Sequence, residues 1–536
     1  PPAEGKRMYE FPGGGVAILD YDLDGWPDAY FTQGCRWPLD SEQRTHLDRL
    51  LRNIDGKSYD DVTVAAETIE AGFSHGVTVG DYDNDGFPDL YVANIGTNRL
   101  FHNNGDGTFS DISVGVAGDA GRWTTSCLLA DVNGDGLPDL YDVNYVVADD
   151  VFLRICKHAD GTPRMCMPFH FPGAQDQLYL NQGDGRFDDA TSTSGIEAVN
   201  GKGLGIVAGD FDGSRRLSLF IANDTTPNFF FSNQSAHQSD GAPTDPLFAE
   251  RAVPLGLALN ANGRSEGCMG IAAGDLNGDS RIDLFIGNFL KETNTLYLHE
   301  EGGSFADATR KYALEQPSFD LLAFGTQFID ADLDGDLDLM VTNGHVDDVR
   351  AYGRPYHMRP QFFENPGSGP LVELKEATVG EFFGGEYLGR AMAKCDWNRD
   401  GLEDVVISHL DSPAALLTNR SKPVGHALLV RLVGVESSRD AIGATVTVRI
   451  GQQKLMRQLT AGDGYQCSNQ RTLVFGIGRA DFIDELQINW PAGRSTTYRN
   501  LPADRELLCV EGHEGEPWQR EIQRPVLTGV EQGPHR

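Results

Sequence analysis

The stretch DYDNDGFPD, residues 81–89, sets acidic side chains at alternate positions, follows them with a glycine and closes on a further aspartate. Oxygen donors at this spacing suit Ca²⁺, which takes six to eight of them at about 2.3–2.6 Å. Asp81, Asp83, Asp85 and Asp89 can turn inward around the carbonyl of Phe87, and Gly86 permits the sharp turn. An EF-hand would need Glu at position 12 and a helix after it. Position 12 is Val92, inside the apolar run LYVA, which reads as a buried strand. The stretch is therefore expected to be a calcium loop at the tip of a β-hairpin.

The loop recurs. DYDLDGWPD, DVNGDGLPD, DFDGSRRLS, DLNGDSRID, DADLDGDLD and DWNRDGLED begin at Asp20, Asp131, Asp210, Asp275, Asp330 and Asp396. The seven starts lie 61, 50, 79, 65, 55 and 66 residues apart, a spacing that fits four-stranded blades with variable loops. Five residues before each first Asp stands a small residue: Gly15, Gly76, Ser126, Gly205, Gly270, Gly325 or Ala391. Small residues there suit an innermost strand in a crowded centre. A third strand follows each loop, as LLRN, LFHN, LYLN, FFFSN, LYLH, FFEN and LLTN, and better-formed repeats add a GDGTF-like turn and a fourth strand. The expected fold class is all-β: a seven-bladed β-propeller over residues 1–421, a small C-terminal β domain over 422–512 and a tail over 513–536. The seventh repeat stops at Asn419, so Arg7 to Phe11 is expected to supply its missing outer strand.

Six loops carry a full ligand set, with position seven acting through its carbonyl. These are Asp20, Asp22, Asp24, Trp26 and Asp28; Asp81, Asp83, Asp85, Phe87 and Asp89; and Asp131, Asn133, Asp135, Leu137 and Asp139. The remaining three are Asp275, Asn277, Asp279, Arg281 and Asp283; Asp330, Asp332, Asp334, Asp336 and Asp338; and Asp396, Asn398, Asp400, Leu402 and Asp404. In the fourth copy Ser214 and Ser218 replace carboxylates while Arg215 and Arg216 intrude, so Asp210 and Asp212 are expected to bind no calcium. About six structural Ca²⁺ ions are expected. They would bring the formal charge of −35 to about −23, relieving self-repulsion.

That acidity, 79 acidic against 44 basic residues, argues against nucleic-acid binding. No run of 18 apolar residues offers a transmembrane segment. The chain opens at Pro1 without a methionine, which reads as a processed or truncated chain.

These repeats resemble the FG-GAP/VCBS calcium propeller repeats of integrin α-subunit heads. GKGLGIVAGDFDG, ANDTTPNFFFSN, GCMGIAAGDLNGD and VTNGHVDD are similar to the CRTAC/ASPIC group, and LLVRLVGVESSRDAIGATVTV, TAGDGYQCSNQRTLVFGIG and LQINWPAGRSTTYRNLPADRELL resemble the ASPIC/UnbV C-terminal domain. The resemblance covers about residues 12 to 512. It implies a calcium-stabilised protein that is secreted, periplasmic or on the cell surface, and no defined reaction. Asp440 and Gly443 fall in the apparent first turn of the C-terminal domain.

Other candidates carry bland alternatives. GFSHG, Gly72 to Gly76, matches a hydrolase elbow, but that motif needs a strand–turn–helix setting, and Ser74 occupies a small-residue column. A disulfide Cys156–Cys166 is expected to close an insertion in the third repeat, with a metal or redox site including His158 and His170 as the alternative. Cys467–Cys509 is a second candidate pair, and Cys395 reads as a buried free thiol. A polar column at the far end of the second strands, Gln33, Asn94, Asn144, Asn223, Asn288, Asn343 and His409, either ties down the next connection or rings a ligand site. Insertions at Tyr145 to Ala174, Ala222 to Asn228 and Gly344 to Pro360 emerge on that side, opposite the calcium loops.

The leading functional reading is a non-enzymatic binding or scaffold protein that engages a protein partner through this face or the C-terminal domain. The alternative is a lectin-like propeller, whose pockets would draw on Trp37, Trp123, Tyr145, Tyr352 and Tyr356. Hydrolase or lyase activity comes last, and no catalytic residue is assigned.

Overall fold

Each aspartate loop joins two antiparallel strands, and the apolar runs on either side bury them. In the second repeat Phe73–Gly80 pairs with Asp89–Ile95, then Arg99–Asn103, then Phe109–Asp111. The computed structural model describes residues 7–39, 45–113, 122–147, 150–235, 246–422 and 425–522. Among these residues seven such sheets follow one another from Val16 to Leu417, called here blades 1 to 7. Their innermost strands pack against one another in cyclic order, and Gly389–Cys395 of blade 7 returns to Val16–Leu19 of blade 1. The small-residue column follows from this crowding. A Cβ on Gly270 would lie 2.0 Å from the carbonyl oxygen of Phe324 in the next blade.

Beyond Gly425 two four-stranded sheets enclose a separate core that includes Val446, Phe475, Leu486 and Trp490. One runs in the order Leu473–Gly476, Ala427–Val433, Arg505–Val510, Trp518–Glu521; the other Gln453–Gln458, Thr445–Ile450, Phe482–Asn489, Ser495–Pro502. The start of the expected tail thus contributes an edge strand. Its remainder, from residue 523, lies outside the described residues.

This C-terminal unit sits on the loop end of the propeller and sends residues 460–470 down the axis. Ala461 bridges Ala208 of blade 4, Gly464 bridges Ile271 of blade 5, and Cys467–Ser468 pairs in parallel with Val16–Ala17 of blade 1. Tyr465, fully buried, packs edge-on against Phe324 of blade 6 at 5.1 Å. Asn469 accepts from the Lys394 amide of blade 7 at 2.8 Å. The axial segment thus touches blades 1, 4, 5, 6 and 7.

Two expectations are overturned. Met8–Glu10 forms a single 3-10 turn, not an outer strand, and blade 7 keeps three strands, Gly389–Cys395, Asp404–His409 and Ala415–Leu417. The reason lies in the side chains. Met8, Tyr9 and Phe11 bury in an apolar cluster at the far end of the axis, with Tyr9 against Phe73 and Trp37 and Phe11 against Tyr145. Arg390 fixes this turn by donating to the Phe11 carbonyl at 2.6 Å. The pairing Cys467–Cys509 does not form either. Cys467 lies in the axial segment beside the Met392 carbonyl, Cys509 lies in the core of the C-terminal unit, and both are free thiols.

Candidate metal centres

The loops sit at the junction of propeller and C-terminal unit. Their backbone follows one plan. Position six takes a left-handed conformation in all seven copies, at φ between 65° and 101°; five copies hold glycine there, loop 5 holds Ser280 and loop 4 holds Arg215. The position-one carboxylate accepts the amide of position six, for example Gly86 to Asp81 at 2.8 Å and Gly401 to Asp396 at 2.9 Å. The position-five carboxylate accepts the amide of position seven, as Phe87 to Asp85 at 2.9 Å. Position nine is buried in every copy. Its two oxygens take the amide of position two and an amide at the end of the third strand, as Asp89 does from Tyr82 at 3.0 Å and Asn103 at 2.8 Å.

Sequence reading left the last of these partners without a role, although the signal was present as the Asn that ends LLRN, LFHN, LYLN and their counterparts. Each such Asn also donates across to the neighbouring blade, as Asn103 Nδ2 does to the Tyr21 carbonyl at 2.8 Å.

Carboxylate oxygens converge in three loops: Asp20, Asp22 and Asp28; Asp81, Asp83 and Asp89; and Asp330, Asp332 and Asp334 each bring ligand atoms within 4.8 Å of one another. Burial pushes up the carboxyls of Asp28, Asp81 and Asp330, to about 8, about 7 and about 7. Asp20 Oδ1 and Asp22 Oδ1 are buried with no hydrogen-bond partner. Clustered, desolvated anionic oxygens with open lone pairs fit a hard divalent cation. Positive protein groups also approach: Arg52 lies on Asp22 and Asp24, and His102 stands 3.4 Å from Asp83 and Asp89. The remaining expected sets, around Asp131, Asp275 and Asp396, use Asn133, Asn277 or Asn398 at position three and keep the same backbone plan.

Loop 4 keeps its shape by other means. Ser218 Oγ accepts the Asn233 amide at 3.1 Å, replacing the missing position-nine carboxylate. Arg216 turns to the Ser235 carbonyl at 2.6 Å, and Arg215 to that of Gly493 in the C-terminal unit.

The C-terminal unit touches the loops directly. The amide of Asp81 donates to Asp440 Oδ2 at 2.9 Å, and the amides of Asp210 and Asp396 donate to Gln458 and Gln470 at 2.8 Å. Asp330 Oδ2 accepts from the Gly476 amide at 2.8 Å. Asp440 is thereby given a role in docking, held on its other side by Arg471 at 2.6 Å.

At the opposite end the polar column ties down the next connection in every blade. Gln33, Asn94, Asn144, Asn223, Asn288 and Asn343 donate to the carbonyls of Leu47, Thr97, Gln175, Pro227, Thr293 and Arg359, and His409 Nδ1 meets that of Pro413. Trp123 and Tyr145 are buried in the same cluster as the N-terminal turn, so neither offers a face to a sugar. Ser74 is buried within the strand Phe73–Gly80, away from any strand–turn–helix elbow.

Cys156 and Cys166 form the disulfide expected for the insertion. The insertion reaches across to the loop from blade 6, where Tyr352 donates to Asp160 at 2.9 Å and stacks near His158. Val147, Leu153 and Phe169 project from it at 54%, 66% and 64% exposure.

Residues 81–141 and 275–341 match the FG-GAP-like repeat, and residues 434–516 match the family described as ASPIC and UnbV. Cartilage acidic protein 1 of Homo sapiens is 25% identical over 344 residues, 63% of this chain and 47% of that protein; its Xenopus tropicalis counterpart is 26% identical over 303 residues, 55% and 42% of the two chains. The chain thus spans less than half the length of these relatives. Among solved structures, an Agrocybe aegerita lectin that recognises non-reducing terminal N-acetylglucosamine aligns with a TM-score of 0.39 at 16% identity, over 76% of this chain and 94% of that one. A rhamnogalacturonan lyase aligns at 0.38 and 13% identity, over 76% and 72%. No described helix is long and apolar enough to cross a membrane.

Proposed function

We propose that this chain, which carries FG-GAP-like repeats and a C-terminal ASPIC and UnbV domain and resembles cartilage acidic protein 1, is a secreted, calcium-stabilised scaffold that binds a protein partner. The disulfide of the blade 3 insertion agrees with an oxidising exterior. In this reading about six Ca²⁺ ions occupy loops 1, 2, 3, 5, 6 and 7, and loop 4 is held by its arginines. The ions screen buried carboxylates at the seat of the C-terminal domain, so metal and domain docking support one another. Residues 1–421 act as the propeller and 422–522, including the edge strand Trp518–Glu521, as the docked domain.

The observation that carries the partner reading is the insertion face. The insertion, closed between Cys156 and Cys166 and pinned to the loop of blade 6 through Tyr352, exposes Val147, Leu153 and Phe169 on an otherwise acidic molecule. Exposed apolar side chains on a braced loop are what protein interfaces use.

Two measurements test this. Metal analysis of the chain purified in calcium should give about six ions, and one or none would end the calcium reading. Leu153→Asp with Phe169→Ser should abolish recovery of a stoichiometric protein from the native source while leaving the melting temperature unchanged. Undiminished recovery would remove the insertion face from the proposal.

A further inference from the structure

Blade 7 differs from its six neighbours in one respect that bears on recognition: nothing among the described residues pairs with the outer edge of its third strand. In blades 1, 2, 3 and 5 the central leucine of that strand, Leu50, Leu100, Leu178 or Leu296, makes two bonds outward. Its amide donates to a hydroxyl of the segment after it, Thr63, Ser113, Thr191 or Thr309, at 3.0 to 3.2 Å. Its carbonyl accepts the amide of the residue just before that hydroxyl, at 2.7 to 3.0 Å. An aspartate two residues before the hydroxyl, Asp61, Asp111, Asp189 or Asp307, takes the hydroxyl residue's amide and fixes the turn that aims it. An aromatic residue two positions earlier still, Tyr59, Phe109, Phe187 or Phe305, is the first residue of the strand or, in blade 1, the second. The fourth strand in these blades therefore reads aromatic–x–Asp–aliphatic–Ser/Thr.

The corresponding leucine of blade 7 is Leu416. It faces Val406 in the register in which Leu100 faces Tyr91, so its amide and carbonyl point to the same outward side. Among the described residues no hydroxyl or amide answers it. Ala415–Leu417 is only half-buried along its length, whereas Leu100 and Phe101 in blade 2 are fully buried. A groove of about 510 Å³ runs beside this edge, between Val406, Ala415 and Leu416 of blade 7 and Phe31, Leu51 and Tyr59 of blade 1.

We propose that this edge is a strand-acceptor site for an extended segment of a partner protein with the pattern aromatic–x–Asp–aliphatic–Ser/Thr. The segment adds antiparallel to Ala415–Leu417. Its hydroxyl takes the Leu416 amide, its preceding amide donates to the Leu416 carbonyl, and its aromatic and aliphatic side chains enter the groove. The specificity is that of the four internal examples, with backbone pairing giving affinity and the side-chain pattern giving register. An unpaired sheet edge is otherwise a liability for uncontrolled association. The site lies on the rim between blades 7 and 1 and is independent of the insertion face.

The probe is a synthetic peptide copying residues 183–192, GDGRFDDATS, the chain's own example from blade 3. Hydrogen exchange of the Leu416 amide is followed in the whole protein with calcium present. Leu416 should exchange rapidly in the protein alone and slow at least tenfold with the peptide, but not with the same peptide carrying Asp189→Ala and Thr191→Val. Three outcomes would overturn the proposal: no protection at millimolar peptide, equal protection by the altered peptide, or slow exchange without any peptide. In the last case a rate that depends on protein concentration identifies a second copy as the occupant, and one that does not identifies the chain itself.

Discussion

Asn53 of blade 1 donates through Nδ2 to the carbonyl of Trp397 in blade 7, at 2.8 Å and across 344 positions of sequence. The same bond joins Asn103 to Tyr21, Asn181 to Tyr82, Asn233 to Val132, Asn365 to Leu276 and Asn419 to Ala331, each reaching the second loop position of the preceding blade. The ring is thus clasped around its circumference by one side chain in each of six blades, and Asn53 closes it where no hydrogen-bonded strand does. Asn53 also donates to Pro27 and accepts from Gly56.

Asn53→Ala leaves buried backbone groups without partners, each costing about 1–3 kcal/mol, and should destabilise the protein by roughly 2–4 kcal/mol. Asn104→Ala, on the exposed neighbour of Asn103, serves as the control and should cost less than about 0.5 kcal/mol. Denaturant melts of the two variants check this, and equal losses would show that the clasp contributes nothing.

Blade 5 breaks the pattern. His299 stands where the others have Asn, its ring stacked on Phe305 at 4.3 Å and its buried Nδ1 without a partner. Replacing it should restore the clasp toward the carbonyl of Phe211 and remove an unsatisfied atom. His299→Asn is expected to raise stability by about 1 kcal/mol despite the lost stacking. A melting temperature below that of the parent would refute the idea.

The blades were legible because the sheet period, the loop and the small-residue column repeat in register, so each copy corrected the reading of the others. Loop 4 was legible by its departures. The axial segment was not, because TAGDGYQCSNQRT has no repeat to align with and its burial depends on a hole that only the closed ring creates. Arg7 to Phe11 misled for a related reason. A short apolar run is compatible with an edge strand or a buried turn, and only the cluster formed by Phe73, Trp123 and Tyr145 decides between them. The faces at the two ends were assigned correctly relative to the strands, yet the polar column at the far end proved to be backbone ties.

The axial segment can be tested through Tyr465. Its ring is fully buried, and its hydroxyl has no hydrogen-bond partner. Tyr465→Phe should therefore be neutral or slightly stabilising, since it removes a buried polar atom that bonds nothing. Tyr465→Ala should cost about 3–5 kcal/mol through the cavity it leaves. If the two variants behave alike, Tyr465 is not packed in the axis.

The loops predict how stability depends on pH. Burial first, and neighbouring aspartates after it, push the carboxyls of Asp28, Asp283 and Asp338 up to about 8 and that of Asp404 to about 9. In the unfolded chain an aspartate titrates near 3.9. Between about pH 4 and pH 8–9 the folded, metal-free protein therefore holds more protons than the unfolded one, and its stability falls as pH rises through that window. Calcium replaces those protons, so its stabilising effect should grow with pH. Melting temperatures from pH 5 to 8.5 should decline in chelator and stay level or rise in calcium. Parallel curves would mean that these carboxylates are not where the metal acts.

Loop 4 offers the most direct test of what makes a site. Its backbone already has the common shape, with Arg215 at position six forced to φ 65°, a conformation that disfavours a residue with a Cβ. Ser218 already stands where the other loops place their position-nine carboxylate, accepting the amide that carboxylate would accept. What is missing is charge. The triple change Ser214→Asp, Arg215→Gly and Ser218→Asp supplies two carboxylates, removes a cation and relieves the left-handed position, at the expense of the bond from Arg215 to Gly493. Metal analysis should rise by one ion per chain, and the melting temperature in calcium should rise while that in chelator falls. If the metal count stays unchanged, carboxylate number does not decide occupancy, and the contacts from the C-terminal domain to Asp210 must be what excludes the ion.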